Sequence, residues 1–245
     1  MTRNLADADL PFLLAPSGRL RAAINLGNPV IAQRDRRGRP TGVSVELALV
    51  LADTIGMHAE FILYESGASV ASGLCADRWD IAFLAVAPER AEHIRFTAPY
   101  LFIEGTCMVS NISPFMNFAQ LDQDGVQIAV GEGAAYHHIL ARILKHATLR
   151  LAPTSAAAID LFQTAQLDAA AGVRQTLAAA APRMGDVRLL PDGFSRIGQA
   201  MAVPRDRPEA VFERVAQFLA NRVGDGSVGR LLALFGQSAE VAGLP

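Results

Sequence analysis

The stretch "IAFLAVAPERAEHIRFTAPY", Ile81–Tyr100, decides how the chain reads. Ile81 to Val86 is an unbroken apolar run. Alternation is absent, so the run suits a strand covered on both faces, as in a parallel sheet flanked by helices. It stops at Ala87-Pro88, and a charged pair, Glu89-Arg90, follows at once. A charge just past the carboxyl end of a buried strand lies where open α/β sheets take their ligands.

Working outward, Leu20–Gly27 reads as a buried strand ending in a Gly-Asn turn. Val43, Leu47, Val50, Leu51 and Ile55 recur at helical spacing, with Gly56 placed to close the helix. "AEFILY" (59–64) is strand-like, and "SVASGLCADRW" (69–79) reads as a helix before the Asp80–Val86 strand. The same order recurs in residues 126–173. "VQIAVG" (126–131) is a strand, "AAYHHILARILKH" (134–146) an amphipathic helix, and "TLRLAP" (148–153) a strand. "TSAAAIDLFQTAQ" (154–166) is a helix capped by Thr154 or Ser155, and "DAAAGV" (168–173) a short apolar strand. Strands alternating with helices imply parallel sheets with right-handed crossovers. Two such halves predict an α/β protein of two lobes.

Two strand-like stretches lie outside the repeats, Tyr100–Ser110 and Ser195–Pro204. If both cross between lobes, the chain goes out and returns. The last helices, in 208–223 and 227–236, then pack back on the first lobe. The expected division is 1–109 plus 198–245 for lobe 1 and 110–197 for lobe 2, hinged around a cleft.

Composition narrows the function. With 245 residues, 51% hydrophobic and 19% charged, the chain is long and apolar enough for one or two folded domains. The net charge of −2 and the lack of a basic stripe give no reason to expect nucleic acid. The densest basic patch, "RDRRGRP" (34–40), reads as a solvated hairpin or loop. No apolar run approaches the ~20 residues of a membrane span, so no membrane insertion is expected. The opening "MTRNLADADLPFLLAPSG" does not read as a signal peptide, its apolar piece being short and flanked by Asp7 and Asp9. A cytosolic chain and one whose leader was replaced by Met both fit. Cys75 and Cys107 form no CxxC and read as free buried thiols.

Several side chains fall at predicted strand ends or in the crossing strands. Arg90 can grip a carboxylate through two parallel charge-assisted hydrogen bonds. Pro88 suits a first helical turn whose N–H groups would add to an anion site. Pairing of Arg90 with Glu89 or Glu92 at the surface is the structural alternative. Asn28 ends the first strand, as a cleft residue or simply as a turn residue. Ser66 and Gly67 follow the second strand and offer close backbone contacts. Glu132 follows a strand end. Tyr136 suits stacking on a ligand or packing between lobes. Glu104 and Gln199 sit as polar residues in the apolar crossing strands, lining the cleft or bonding across the hinge. His137-His138 are adjacent on a helix and point about 100° apart, so they do not readily share a metal ion, and no metal or cofactor is expected. Trp79 reads as packing.

"GRPTGVSVELALVLADTIG" (38–56), "WDIAFLAVAPERAEHIRFTAPY" (79–100), "IAVGEGAAY" (128–136) and "LDAAAGV" (167–173) together resemble the family 3 extracellular solute-binding proteins. The resemblance runs from about Leu20 to Phe235. It implies the type 2 periplasmic-binding-protein fold of amino-acid ABC importers, with a Venus-flytrap hinge and an Arg, matched by Arg90, that grips the ligand α-carboxylate. It also implies a periplasmic, monomeric protein, with a small anionic or zwitterionic ligand and ABC transporter membrane subunits as partners.

The departures are specific. The family's hydroxyl residues five and three positions before that Arg are here Ala85 and Ala87, which leaves backbone N–H groups. Its Gly-Ser/Thr-Thr helix start is here Gly133-Ala134-Ala135. The Asp that takes the ligand ammonium falls at Val173, beside Arg174. An ammonium without its carboxylate binds poorly in a dry site. Arg174 as a second basic group then favours a ligand with two acidic ends, or a carboxylate without an adjacent amine. No G-x-S-x-G, P-loop, H-E-x-x-H or G-x-G-x-x-G occurs. A binding protein is therefore expected rather than an enzyme. The alternatives are a dehydratase of the cyclohexadienyl type, with Glu132 or Glu104 as its acid, and a cytosolic ligand sensor.

Overall fold

The computed structural model describes residues 10–74 and 76–237. Cys75 lies outside the described residues, as does the N-terminal stretch before Leu10. In chain order the elements are α1 (Leu10–Leu14), β1 (Arg19–Asn25), β2 (Gln33–Arg34), β3 (Pro40–Thr41), α2 (Val43–Thr54), β4 (His58–Tyr64), α3 (Gly67–Leu74), β5 (Ile81–Ala85), β6 (Ile94–Phe96) and β7 (Leu101–Ser110). There follow β8 (Gln127–Gly131), α4 (Ala135–Ile143), β9 (Thr148–Ala152), α5 (Ser155–Thr164), β10 (Ala169–Val173), α6 (Arg174–Met184), β11 (Val187–Leu189), β12 (Ser195–Pro204), α7 (Glu209–Gly224) and α8 (Ser227–Leu234).

The chain divides into two compact units. Among the described residues, the first holds 10–64, Ser69–Phe102 and 198–237; the second holds Glu65–Ala68 and Ile103–Ile197. The first unit therefore ends early in β7 and resumes within β12.

In the first unit β1 lies between β4 and β5, parallel to both, and β12 adds antiparallel to β5 with Gln199 opposite Ala85. The second unit repeats the plan. There β8 lies between β9 and β10, parallel to both, and β7 adds antiparallel to β10. The two repeats read from the sequence are these parallel triplets. β5 and β10 carry no polar side chain, because each lies inside its sheet with buried residues on both faces.

The first-unit core gathers Ala23, Val70, Ala82, Leu84, Ile94 and Trp79. Trp79 is fully buried, and its indole N–H donates to the Val70 carbonyl at 2.9 Å. Beside it, Asp80 is a fully buried carboxylate. It accepts from the Arg21 backbone N–H (2.9 Å), Arg21 Nε (3.2 Å) and Nη2 (2.8 Å), and Arg207 Nη2 (3.1 Å). Hydrogen bonds and charge from Asp80 raise the Arg21 guanidinium above its ordinary pKa. The second core gathers Met108, Ala129, Ile159, Phe162, Ala170 and Leu177 around α5. Thr154 is the N-cap of α5, its hydroxyl accepting from Ala157 N–H at 3.1 Å.

"RDRRGRP" forms the exposed β2–β3 hairpin, with the Asp35 carboxylate accepting from the Arg37 and Arg39 N–H groups. Gly42 precedes α2 at φ +122°, where an added Cβ would lie 2.7 Å from the Ile31 carbonyl oxygen. Cys107 is buried in β7, and burial pushes its thiol pKa up. The helix read over 69–79 runs instead over Gly67–Leu74, because Asp77 takes a positive φ of 46° and turns the chain into β5. No described helix is long and apolar enough to cross a membrane.

Candidate functional site

Arg90 ends a single 3-10 turn, Pro88–Arg90, that follows β5, with Pro88 at its start. The Arg90 and Ala91 N–H groups are spent inside the turn, on the Ala87 and Pro88 carbonyls. The turn therefore offers fewer free backbone donors than the sequence implied. Arg90 is only 8% exposed. Its Nη1 donates to the Ala85 carbonyl at 3.2 Å. Ala85 thus holds the guanidinium through its oxygen rather than offering an N–H. Burial pulls the Arg90 pKa down from its ordinary value, and the negative charge of Glu89 opposes this.

Asn28 and Gln199 come together in the same unit. Both are buried, and Asn28 Nδ2 donates to Gln199 Oε1 at 3.3 Å. Asn28 Oδ1 accepts from the Val30 N–H at 3.3 Å. Arg90, Ala85, Gln199 and Asn28 are therefore linked through one corner of the first unit, by Arg90's bond to Ala85, the β5–β12 ladder and the amide pair.

In the second unit, Ser66 and Gly67 lie at the start of α3, and Glu132 is exposed just past β8 with its N–H on the Ala152 carbonyl at 2.8 Å. Ala135 and Tyr136 open α4. The first N–H groups of a helix have no intrahelical acceptor, and those of Ala135 and Tyr136 precede the bond from His137 N–H to the Ala134 carbonyl. Gly133, at φ +66°, turns the chain into α4, and its N–H donates to His137 Nδ1 at 3.1 Å. Nδ1 must therefore be unprotonated. Burial and the neighbouring His138 lower the His137 pKa, against an upward pull from Glu132. The sequence raised His137 only as a metal candidate; its bond to the turn was missed, although the four-residue spacing from Gly133 was there to read. Among the described residues no group of three His, Cys, Asp or Glu could hold a metal ion.

Tyr136 is buried and donates its hydroxyl to Ser155 Oγ at 2.6 Å, a bond from α4 to α5. Arg174 and Glu104 face each other. Arg174 Nε donates to Glu104 Oε2 and Nη2 to Oε1, and the guanidinium also reaches the Leu190 and Pro191 carbonyls at 3.2 and 3.0 Å. The expectation of Arg174 as a free second grip therefore meets a guanidinium already engaged at four acceptors. Val173, which the resemblance places where family members carry an Asp, is buried and apolar.

A model of bacterial extracellular solute-binding proteins, family 3, matches residues 20–237. Among curated proteins there is no significant match. Among solved structures, the ancestral amino acid-binding protein AncCDT-1, a precursor of cyclohexadienyl dehydratase, is 22% identical, covers 92% of this chain and 98% of its own, and has a TM-score of 0.78. An amino acid ABC transporter substrate-binding protein from Streptococcus pneumoniae, bound to L-arginine, is 17% identical over 92% of this chain and 97% of its own, with a TM-score of 0.77. A histidine kinase sensor domain with similarity to periplasmic binding proteins is 22% identical over 89% and 95%, with a TM-score of 0.75. At these identities the likeness is one of fold.

Proposed function

Since the chain belongs to family 3 of the bacterial extracellular solute-binding proteins, we propose that it closes on a small carboxylate-bearing metabolite, an amino acid or related organic acid. It serves as the periplasmic, monomeric substrate-binding component of an ABC transporter and delivers that ligand to the membrane subunits. The observation that carries this reading is Arg90, a nearly buried guanidinium held by the Ala85 carbonyl just past the end of β5. A guanidinium matches the two oxygens of a carboxylate, and a desolvated cation gains most from a charged acceptor. Asn28 and Gln199 line the same corner. Within the second unit, Ser66, Glu132 and the first-turn N–H groups of Ala135 and Tyr136 are the candidate ligand contacts. Hinge closure couples these contacts to recognition by the transporter.

The test is a thermal-shift screen of amino acids, 2-oxo acids, dicarboxylates and aromatic acids, with Arg90→Ala as control. A ligand at ~100 times its Kd stabilises the native protein by about 2.7 kcal/mol. The expected hit weakens at least about 30-fold in Arg90→Ala, roughly 2 kcal/mol. A hit indifferent to that change, or none across the panel, would overturn the reading.

A second reading is favoured by one fold neighbour, the precursor of a dehydratase. Its need for a carboxyl acid falls on Glu132, because both Glu104 oxygens are engaged by Arg174. Product formation on incubation with the ligand, lost in Glu132→Gln, separates this enzyme from the binding protein.

A further inference from the structure

Gln199 is 1% exposed, and its Nε2 is buried with no hydrogen-bond partner. Buried amide donors are almost always paired, so an orphan beside a candidate ligand site is informative. The orientation of this amide follows from its neighbours. A backbone N–H can only donate, and that of Val30 donates to Asn28 Oδ1. Asn28 is left with its NH2 group, which donates to Gln199 Oε1. The Gln199 oxygen thereby has a donor, and its NH2 is the group left with no partner. Flipping either amide would set donor against donor or acceptor against acceptor. One backbone N–H therefore fixes, through two side chains, what Gln199 presents. Its ladder partner Ala85 holds Arg90 through its carbonyl, and a guanidinium also carries donors alone. The donor that this corner leaves unpartnered is Gln199 Nε2. Asn28 and Gln199 bring no charge, and Glu89, the carboxylate felt by Arg90, is exposed on the turn.

We propose that the Asn28–Gln199 pair selects the ligand by hydrogen-bond polarity. The group beside the carboxylate held by Arg90 is an acceptor, and the substrate class is the 2-oxo carboxylates rather than the 2-amino acids. This rests on the reading of Arg90 as the carboxylate grip. An ammonium carries three donors and no acceptor, so against Gln199 Nε2 it leaves both groups unpaired. A keto oxygen completes the relay.

The experiment is calorimetric titration of the full chain with matched pairs: 2-oxoglutarate and glutamate, phenylpyruvate and phenylalanine, 4-methyl-2-oxopentanoate and leucine. The expected result is tighter binding of the oxo acid, by tenfold or more, in each pair that binds. In Asn28→Asp the introduced carboxylate still accepts from Val30 but cannot donate, so Gln199 turns to donate and presents its oxygen; the preference inverts. In Gln199→Leu the discrimination falls to within threefold. Thermal melts check that each variant folds, and the wild-type ratios decide the matter if neither does. Tighter binding of the amino acids, still dependent on Arg90, overturns this inference and leaves the proposed function standing. A preference unmoved by both folded variants also overturns it. Failure of every compound to bind overturns this inference, and the wider ligand screen then decides the proposed function.

Discussion

Glu104 of β7 and Arg174 at the start of α6 form a two-contact ion pair, with the guanidinium also satisfying the Leu190 and Pro191 carbonyls. The pair joins a crossing strand to a helix start seventy positions along the chain. Both side chains are partly open to solvent, so screening limits their mutual attraction to below about 1 kcal/mol. A double-mutant cycle of Glu104→Ala and Arg174→Ala, read by urea unfolding, should return a coupling of that size. Arg174→Ala alone should cost more than Glu104→Ala, because it also strips two carbonyls of their donor.

Asp80 stands at the opposite extreme. Its side chain is fully buried and carries the charge that offsets Arg21 and Arg207. Removing one partner of a buried pair costs about 3–5 kcal/mol, since the other is left uncompensated. Asp80→Ala should lower the urea midpoint by a corresponding amount or prevent folding, whereas loss of the exposed Arg39–Asp35 pair in the hairpin should leave the midpoint nearly unchanged.

His137 sets a pH window. Its folded-state pKa lies below the ordinary value of 6.5, because burial and His138 disfavour the cation. Between the two values the unfolded chain binds more protons than the folded one, so stability rises with pH. The contribution is complete above about pH 6.5 and is lost as pH falls through the lower folded value. Urea midpoints at pH 7.5 and pH 5 should differ, and His137→Asn, which retains an acceptor for the Gly133 N–H but does not titrate, should shrink the difference. Asp35, Asp122 and Asp225 have lowered pKa values, set chiefly by hydrogen bonds to their carboxylates. Their contributions are present above the ordinary carboxylate range and disappear at more acid pH.

Gly42 combines a left-handed φ with a backbone carbonyl where a Cβ would go. Gly42→Ala should cost more than about 1 kcal/mol, with the loss seen as a lower melting temperature even if ligand affinity per folded molecule is kept.

Much of the fold could be read from residue order. Ile81–Ala85 and Ala169–Val173 are apolar throughout because each is buried on both faces, and that pattern survives in one dimension. β6 and β11 escaped notice at three residues each, too short for any period to show. α6 was missed because its stretch of small residues ends in Pro182 and opens on Arg174 without a capping side chain. The individual candidates Arg90, Asn28 and Gln199 followed from strand ends and from polar residues in apolar runs. Their partners did not. Asn28 and Gln199 are 171 positions apart, and the engagement of Arg174 by Glu104 leaves no local trace, so the sequence alone offered Arg174 as a free cation.

The division of the chain bears on its birth as well as its use. Ile103–Ile197 is nearly all of the second unit, whereas the first is completed only when Gly198 and its successors appear. During synthesis, β5 must wait for β12, and until then one edge of the apolar Ile81–Ala85 strand lacks its ladder. A nascent or prematurely terminated chain therefore displays a sticky template for other strands, and the order in which the ribosome delivers the segments makes the C-terminal return the step that guards against aggregation.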